Sequence, residues 1–385
     1  MKGNTGNISS GEEIQDYFAE VRVTHRAGKT LITHRNLSQY LSLISIVEYK
    51  KISLDESLLA KTGTDVGYIN GKVFSWFPLG LQIISIPFYV IGKMLNLNLF
   101  ISHFSVMMFA FLNLILLFNI STKIFKTTKK TGHLISFIYG FSSISLVFTA
   151  VFVPHQISTF LLLSCFYLAW KFTKESSVKK KILYMSLVWI LWSTSSFFDY
   201  PNWIIIAPVF FYLFFKILRQ DNIKKNLIIF FITSIIGILG LSSQALYNHI
   251  VFGKWTQMSN TLSQNPELFK QHGFVSKKEM KYVGERQNML LRIFKTKRIK
   301  NGTEVLLISK SRGLFVFSPI FIVSIFGYFW FIRKKSHERM FLLYAPIFTI
   351  LLYSSFSDPW GGISFGARYL IPVMAIYSII AGMIY

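Results

Sequence analysis

One cysteine, Cys165, and 17 acidic residues against 41 Lys and Arg are what this chain of 385 residues has least of. A lone thiol inside an apolar run excludes an internal disulfide and a thiolate metal cluster. The N-terminus has no apolar core, so neither a signal peptide nor a spanning helix is expected before about residue 73. Charge is scarcer still inside the hydrophobic runs, where His103 is the main exception and Asp199 stands at an edge. Ion-coupled transporters hold their ion with carboxylates or broken helices near the bilayer midplane, and that pattern is missing.

Apolar surface is what the chain does have. It is 52% hydrophobic and 17% aromatic, with a positive mean hydropathy, beyond the usage of a soluble domain. The reading is a multi-pass protein of the cell membrane. The formal net charge of +24 falls largely in short Lys and Arg runs between the hydrophobic segments. Such runs follow the positive-inside rule and favour anionic headgroups. No nucleic-acid-binding signature accompanies them, so the expected partners are membrane lipids and not nucleic acid.

Helical spacing from Leu31 to Val47 predicts a short amphipathic helix. A polar loop follows, in which Tyr68-Ile-Asn-Gly71 predicts a turn. The run 73–92 carries Pro78, Pro87 and polar side chains. It is a poor span and is expected to lie as a helix at the membrane surface. Spans are predicted at 98–120, 134–153, 156–172, 183–198, 203–218, 226–246, 314–332, 340–356 and 369–385. The expected fold is thus all-α and polytopic, with about nine transmembrane helices plus external surface helices. It divides into an external N-terminal region, 1–97, with juxtamembrane helices, and a multi-span domain, 98–385, with a long external loop at 247–312. Lysine-rich connections should face the cytoplasm, and a tight turn at Pro154-His155-Gln156 should face outside.

One stretch is richer than a connection requires: Asp358-Pro-Trp-Gly-Gly-Ile-Ser-Phe-Gly-Ala-Arg-Tyr369. Its Arg368 either snorkels to the headgroups or holds a phosphate through paired hydrogen bonds. Other polar residues on the same predicted face also carry two readings. Asp199 is a ligand or a helix-end acid before a turn proline, and His155 is a ligand or an interfacial residue. Asp55-Glu56 is a functional pair, a solvated pair or a helix cap.

Four segments in order carry a resemblance: Asp65-Val-Gly-Tyr-Ile-Asn-Gly-Lys-Val-Phe-Ser-Trp-Phe-Pro-Leu-Gly80, Pro87-Phe-Tyr89, Ser311-Arg-Gly-Leu-Phe-Val-Phe-Ser-Pro319 and Trp360-Gly-Gly-Ile-Ser-Phe-Gly-Ala-Arg-Tyr-Leu370. Together they resemble the GT-C superfamily, membrane glycosyltransferases related to protein mannosyltransferases and lipid A aminoarabinose transferases. The resemblance implies a sugar donor on a polyprenyl phosphate, dolichyl or undecaprenyl, and transfer to a lipid, protein or glycan outside the membrane. An external carboxylate would act as base, and cations would stabilise the departing phosphate. Arg368 is the first candidate cation and Lys72 the second. Tyr369, Trp360, Asp358, His155 and Asp199 are expected around the substrate. No cofactor is required unless a divalent cation replaces the basic pocket. The stretch Leu31–Tyr40, where the superfamily places its acid, holds no carboxylate. Asp55, Glu56 and Asp65 are the nearest later acids, and the first span and the C-terminal end of such enzymes are also expected to be missing. The alternatives are a non-catalytic or truncated homologue that binds a lipid-linked sugar, and a transporter of one.

Overall fold

The structure is a computed structural model and describes residues 34–59, 65–262, 299–333, 336–356, 359, 361 and 365–384. Its helices are α1 His34–Glu48, α2 Glu56–Leu59, α3 Gly80–Met94, α4 Asn98–Asn119, α5 Lys129–Phe141, α6 His155–Lys174, α7 Val178–Thr194, α8 Asn202–Ile217, α9 Ile223–Phe252, α10 Ile299–Leu307, α11 Leu314–Phe317, α12 Ile322–Arg333, α13 His337–Ser354 and α14 Ile371–Ile384. A π-helical turn, Ile120–Ile124, extends α4. α4 with this turn, and α9, are the two helices among the described residues that are long and apolar enough to cross a bilayer by length and composition.

α6 and α14 are buried on nearly every face, which puts them at the centre of the bundle. α6 packs on α4, α7, α8 and α14, while α14 also meets α5, α12 and α13. The basic connections meet at one end. There Lys123 and Lys171 both reach the Tyr167 ring, Lys181 Nζ donates to Asn226 Oδ1 at 2.7 Å, and Lys216 pairs with Glu338 at 2.8 Å. The opposite end gathers the longer connections. Tyr200 and Ser259 share a hydrogen bond of 2.9 Å, Ser259 Oγ donates to the Trp76 carbonyl at 2.9 Å, and the Ile144 N–H donates to Ser318 Oγ at 3.1 Å.

The expectation of an all-helical chain needs correction at residues 66–75. Val66–Ile69 (β1) and Lys72–Ser75 (β2) pair antiparallel. Between them Asn70 and Gly71 have φ of 50° and 74°, the two left-handed residues that a tight hairpin turn demands. The run 73–92 is therefore helical only from Gly80. Its helix is α3. It runs antiparallel along the first half of α4, drawn close where Ser85 and Ser105 hydrogen-bond at 2.7 Å and where Gly92 leaves room for Asn98 and Ile101. Asn113, midway along α4, bonds the carbonyl of Gln156 at the start of α6. The first half of α4 thus extends past the start of α6, and α3 covers that extension.

A second correction concerns 134–153, expected as one span. α5 stops at Phe141, and the chain continues irregularly to Pro154 with a short 3-10 turn at Val147–Thr149. Serines cause the break by offering the backbone partners other than its own ladder. Ser143 Oγ takes the Ser145 N–H at 3.1 Å, and Gln156 Nε2 donates to both the carbonyl and the hydroxyl of Ser145 at 2.9 and 3.0 Å. Gln156 Oε1 accepts from Tyr139 at 2.8 Å and from Asn113 at 3.1 Å. Hence Pro154-His155-Gln156, expected as a tight external turn, is a buried helix start. α1 forms where spacing predicts a helix over its described residues. It is enclosed on all sides from Leu37 to Ser45 rather than amphipathic on a surface.

Candidate functional site

Arg368 opens a 3-10 turn, Arg368–Leu370, that leads into α14. Two glycines with left-handed backbone bring the chain there: Gly361, φ 67°, and Gly366, φ 61°. A Cβ on Gly361 would stand 3.0 Å from Tyr369 Cε2 and 3.1 Å from Arg368 Nε. Only a residue without a side chain lets the backbone lie against that guanidinium. Arg368 is 6% exposed. Its Nε and Nη1 have no hydrogen-bond acceptor among the described residues.

The group around it is aromatic. The Arg368 guanidinium carbon lies over the Tyr369 ring at 5.4 Å. Tyr369 stacks on Tyr353 at 4.6 Å with parallel planes, meets His155 edge-on at 6.0 Å and meets Phe356 at 6.1 Å. Phe148, from the irregular stretch, completes the setting by packing on His155 at 6.1 Å. A cation-π contact holds a guanidinium in place without neutralising it. A buried cation held this way is matched by an anion that can accept several hydrogen bonds, and a phosphate does so.

Three of the residues singled out by sequence, Arg368, Tyr369 and His155, are thus brought together. Asp358 and Trp360 lie outside the described residues. Lys72 is exposed beside the hairpin turn, and no described contact joins it to Arg368. Asp199 is buried in the turn before α8, next to Tyr200 and its bonds to Ser259. Asp65 is half-buried at the start of β1, where its carbonyl accepts from the Trp76 N–H at 3.1 Å. Glu56 is exposed on α2. Sequence reasoning missed Tyr353, whose only signal is an aromatic at the last turn of an apolar helix, and Phe148.

Asp55 takes the helix-cap role among its readings. Its Oδ1 accepts from the Ser57 N–H at 3.1 Å and its Oδ2 pairs with Lys51 at 2.6 Å. The Lys51 hydrogen bond holds the carboxyl below the usual carboxylate range. A group depressed in the folded state contributes stability above its unfolded pKa and loses that contribution as pH falls through the folded one. Acidification below about pH 4 should therefore loosen the α1–α2 corner. Amide exchange at Ser57, compared in Asp55→Ala and the parent chain, checks this. The cap is worth about 1 kcal/mol near neutrality, and the difference should shrink in acid.

Among the described residues no three His, Cys, Asp or Glu converge as a metal site would require.

No protein-family model and no curated protein sequence matches the chain. Solved structures do. ArnT from Cupriavidus metallidurans superposes with a TM-score of 0.53 both bound to undecaprenyl phosphate, at 8% identity, and in the apo state, at 11%. Each match covers 96% of this chain and 59% of that one. The chain thus shares the fold of ArnT, over little more than half of ArnT's length.

Proposed function

We propose that this chain is a multi-pass membrane glycosyltransferase that moves a sugar from a polyprenyl-phosphate donor to a lipid, protein or glycan acceptor. In this reading the basic end of the bundle is cytoplasmic and the end carrying Arg368 is external. The observation that carries it is the buried Arg368 guanidinium, held by Tyr369 and Gly361, with Nε and Nη1 lacking acceptors among the described residues. The matching of the fold to a protein solved with undecaprenyl phosphate supports the same ligand chemistry here.

The reaction is a displacement at the anomeric carbon. The acceptor hydroxyl gives its proton to a carboxylate as its oxygen bonds to that carbon, and the bond to the phosphate oxygen breaks. Arg368 stabilises the polyprenyl phosphate that leaves, where charge grows most. Asp55 is a weak base for this step because its oxygens are already engaged. Glu56, Asp65, Asp199 and Asp358 remain.

That engagement of Asp55 also favours a second reading, a homologue that binds the lipid-linked sugar without transferring it. Membranes carrying the chain, supplied with a labelled polyprenyl-phosphate sugar, separate the cases. The enzyme releases polyprenyl phosphate in step with a new glycosidic bond. Saturable retention of the donor with no bond formed supports the binding protein, and donor crossing the bilayer intact supports a transporter.

A further inference from the structure

At the basic end, two ammonium groups share one aromatic ring. Lys123 Nζ lies 5.9 Å and Lys171 Nζ 5.0 Å from the centre of Tyr167, and Lys171 also lies 5.5 Å from the centre of Tyr184. Trp170 stacks on Tyr167 at 5.9 Å and braces the ring. Lys123 belongs to the π turn Ile120–Ile124, where α4 widens in its last turn, a departure that recurs at functional sites. The chain then turns through Lys126, held at a left-handed φ of 58°. Thr127 follows with a buried hydroxyl that has no partner among the described residues.

Like charges gathered on one ring repel, and ring faces offset that only in part. No carboxylate among the described residues answers them. Neither Lys123 nor Lys171 is in an ion pair among the described residues. The next acid along the chain, Glu175, turns its Oε1 back to the Ser176 and Ser177 N–H groups at 3.0 Å each. Tyrosine and tryptophan rings beside lysines at the end of apolar helices have the composition of a headgroup layer.

We infer that Lys123, Lys171 and the Tyr167 ring between them form a binding site for the phosphodiester of an anionic phospholipid, at the end of the molecule opposite Arg368. The site is independent of any transfer reaction. The two ammoniums flank the phosphate, Tyr167 and Tyr184 hold them apart, and the acyl chains continue along the exposed apolar surface of α7 at Ile182 and Leu183.

The test uses the full chain in nanodiscs of phosphatidylcholine with or without phosphatidylglycerol, with native mass spectrometry counting retained lipid. The parent chain should keep phosphatidylglycerol in preference to phosphatidylcholine. Lys123→Gln and Lys171→Gln should each lower that preference about fivefold. Tyr167→Phe, which keeps the ring face, should leave it intact, and Tyr167→Leu should lower it. Lys129→Gln with Lys130→Gln removes two charges from the same end but none from this ring. An equal loss in that pair would overturn the site in favour of diffuse attraction. So would displacement of the lipid by millimolar inorganic phosphate, or a parent chain with no preference.

Discussion

Arg368→Ala is expected to lower sugar transfer by a factor of about 10² to 10³, the range for removing one donor aimed at developing negative charge. The chain itself should stay folded. The guanidinium rests on the Tyr369 face and against Gly361, and its Nε and Nη1 hold no described acceptor, so truncation leaves no polar group newly unpaired among the described residues. Arg368→Lys should recover little. An ammonium keeps the charge but loses the planar fork that meets a phosphate through two parallel bonds and also lies flat on a ring. Gly361→Ala should act in the same direction, since its φ of 67° strains the backbone and its methyl would press on Arg368 Nε. Initial rates with a labelled polyprenyl-phosphate sugar check all three. A parent-level rate in Arg368→Ala would remove this residue from the reaction.

Gln156→Leu should have the largest effect on stability. The amide joins four groups: Asn113 Nδ2 and the Tyr139 hydroxyl donate to Oε1, and Nε2 donates to the carbonyl and hydroxyl of Ser145. All are buried. Leucine has similar volume but leaves the Tyr139 hydroxyl and the Ser145 carbonyl without this partner, at about 1 to 3 kcal/mol for each buried orphan. A total of about 2 to 6 kcal/mol would lower the thermal midpoint by several degrees, measured by thermal unfolding in detergent. Gln156→Glu is the informative companion. It keeps the acceptor for Tyr139 and Asn113 but cannot donate to Ser145, so it should loosen the irregular stretch and with it the contact of Phe148 on His155.

Features with a local cause were legible in the sequence. Asn70-Gly71 could be read as a turn because a positive φ is a demand on those two residues alone. Arg368 stood out because a guanidinium at the mouth of an apolar run needs a partner or water. The Asp55 cap was one of its stated readings. What stayed hidden depends on distant partners. Residues 142–153 carry enough apolar side chains to pass for helix, and two of the groups that take over their backbone, Ser318 and Gln156, lie far away in sequence or across a turn. The burial of α1 was equally out of reach. Ser38, Ser42 and Ser45 suggest a wet face, yet Ser45 bonds the Ser53 carbonyl at 2.6 Å and Ser38 accepts from Ser75.

The projecting half of α4 has a consequence for the lipid that surrounds it. Its first turns run past the level where α6 begins, and it carries Phe100, Phe104, Met108 and Phe111 on its outside. With the orientation proposed here, a bilayer matched to α6 leaves these side chains among headgroups, whereas longer acyl chains would cover them one turn at a time. α3 is fastened to that same half, so the height of the hydrocarbon boundary sets how α3 and the hairpin behind it are seated. In that orientation, acyl-chain length is expected to change how this half of the molecule is seated.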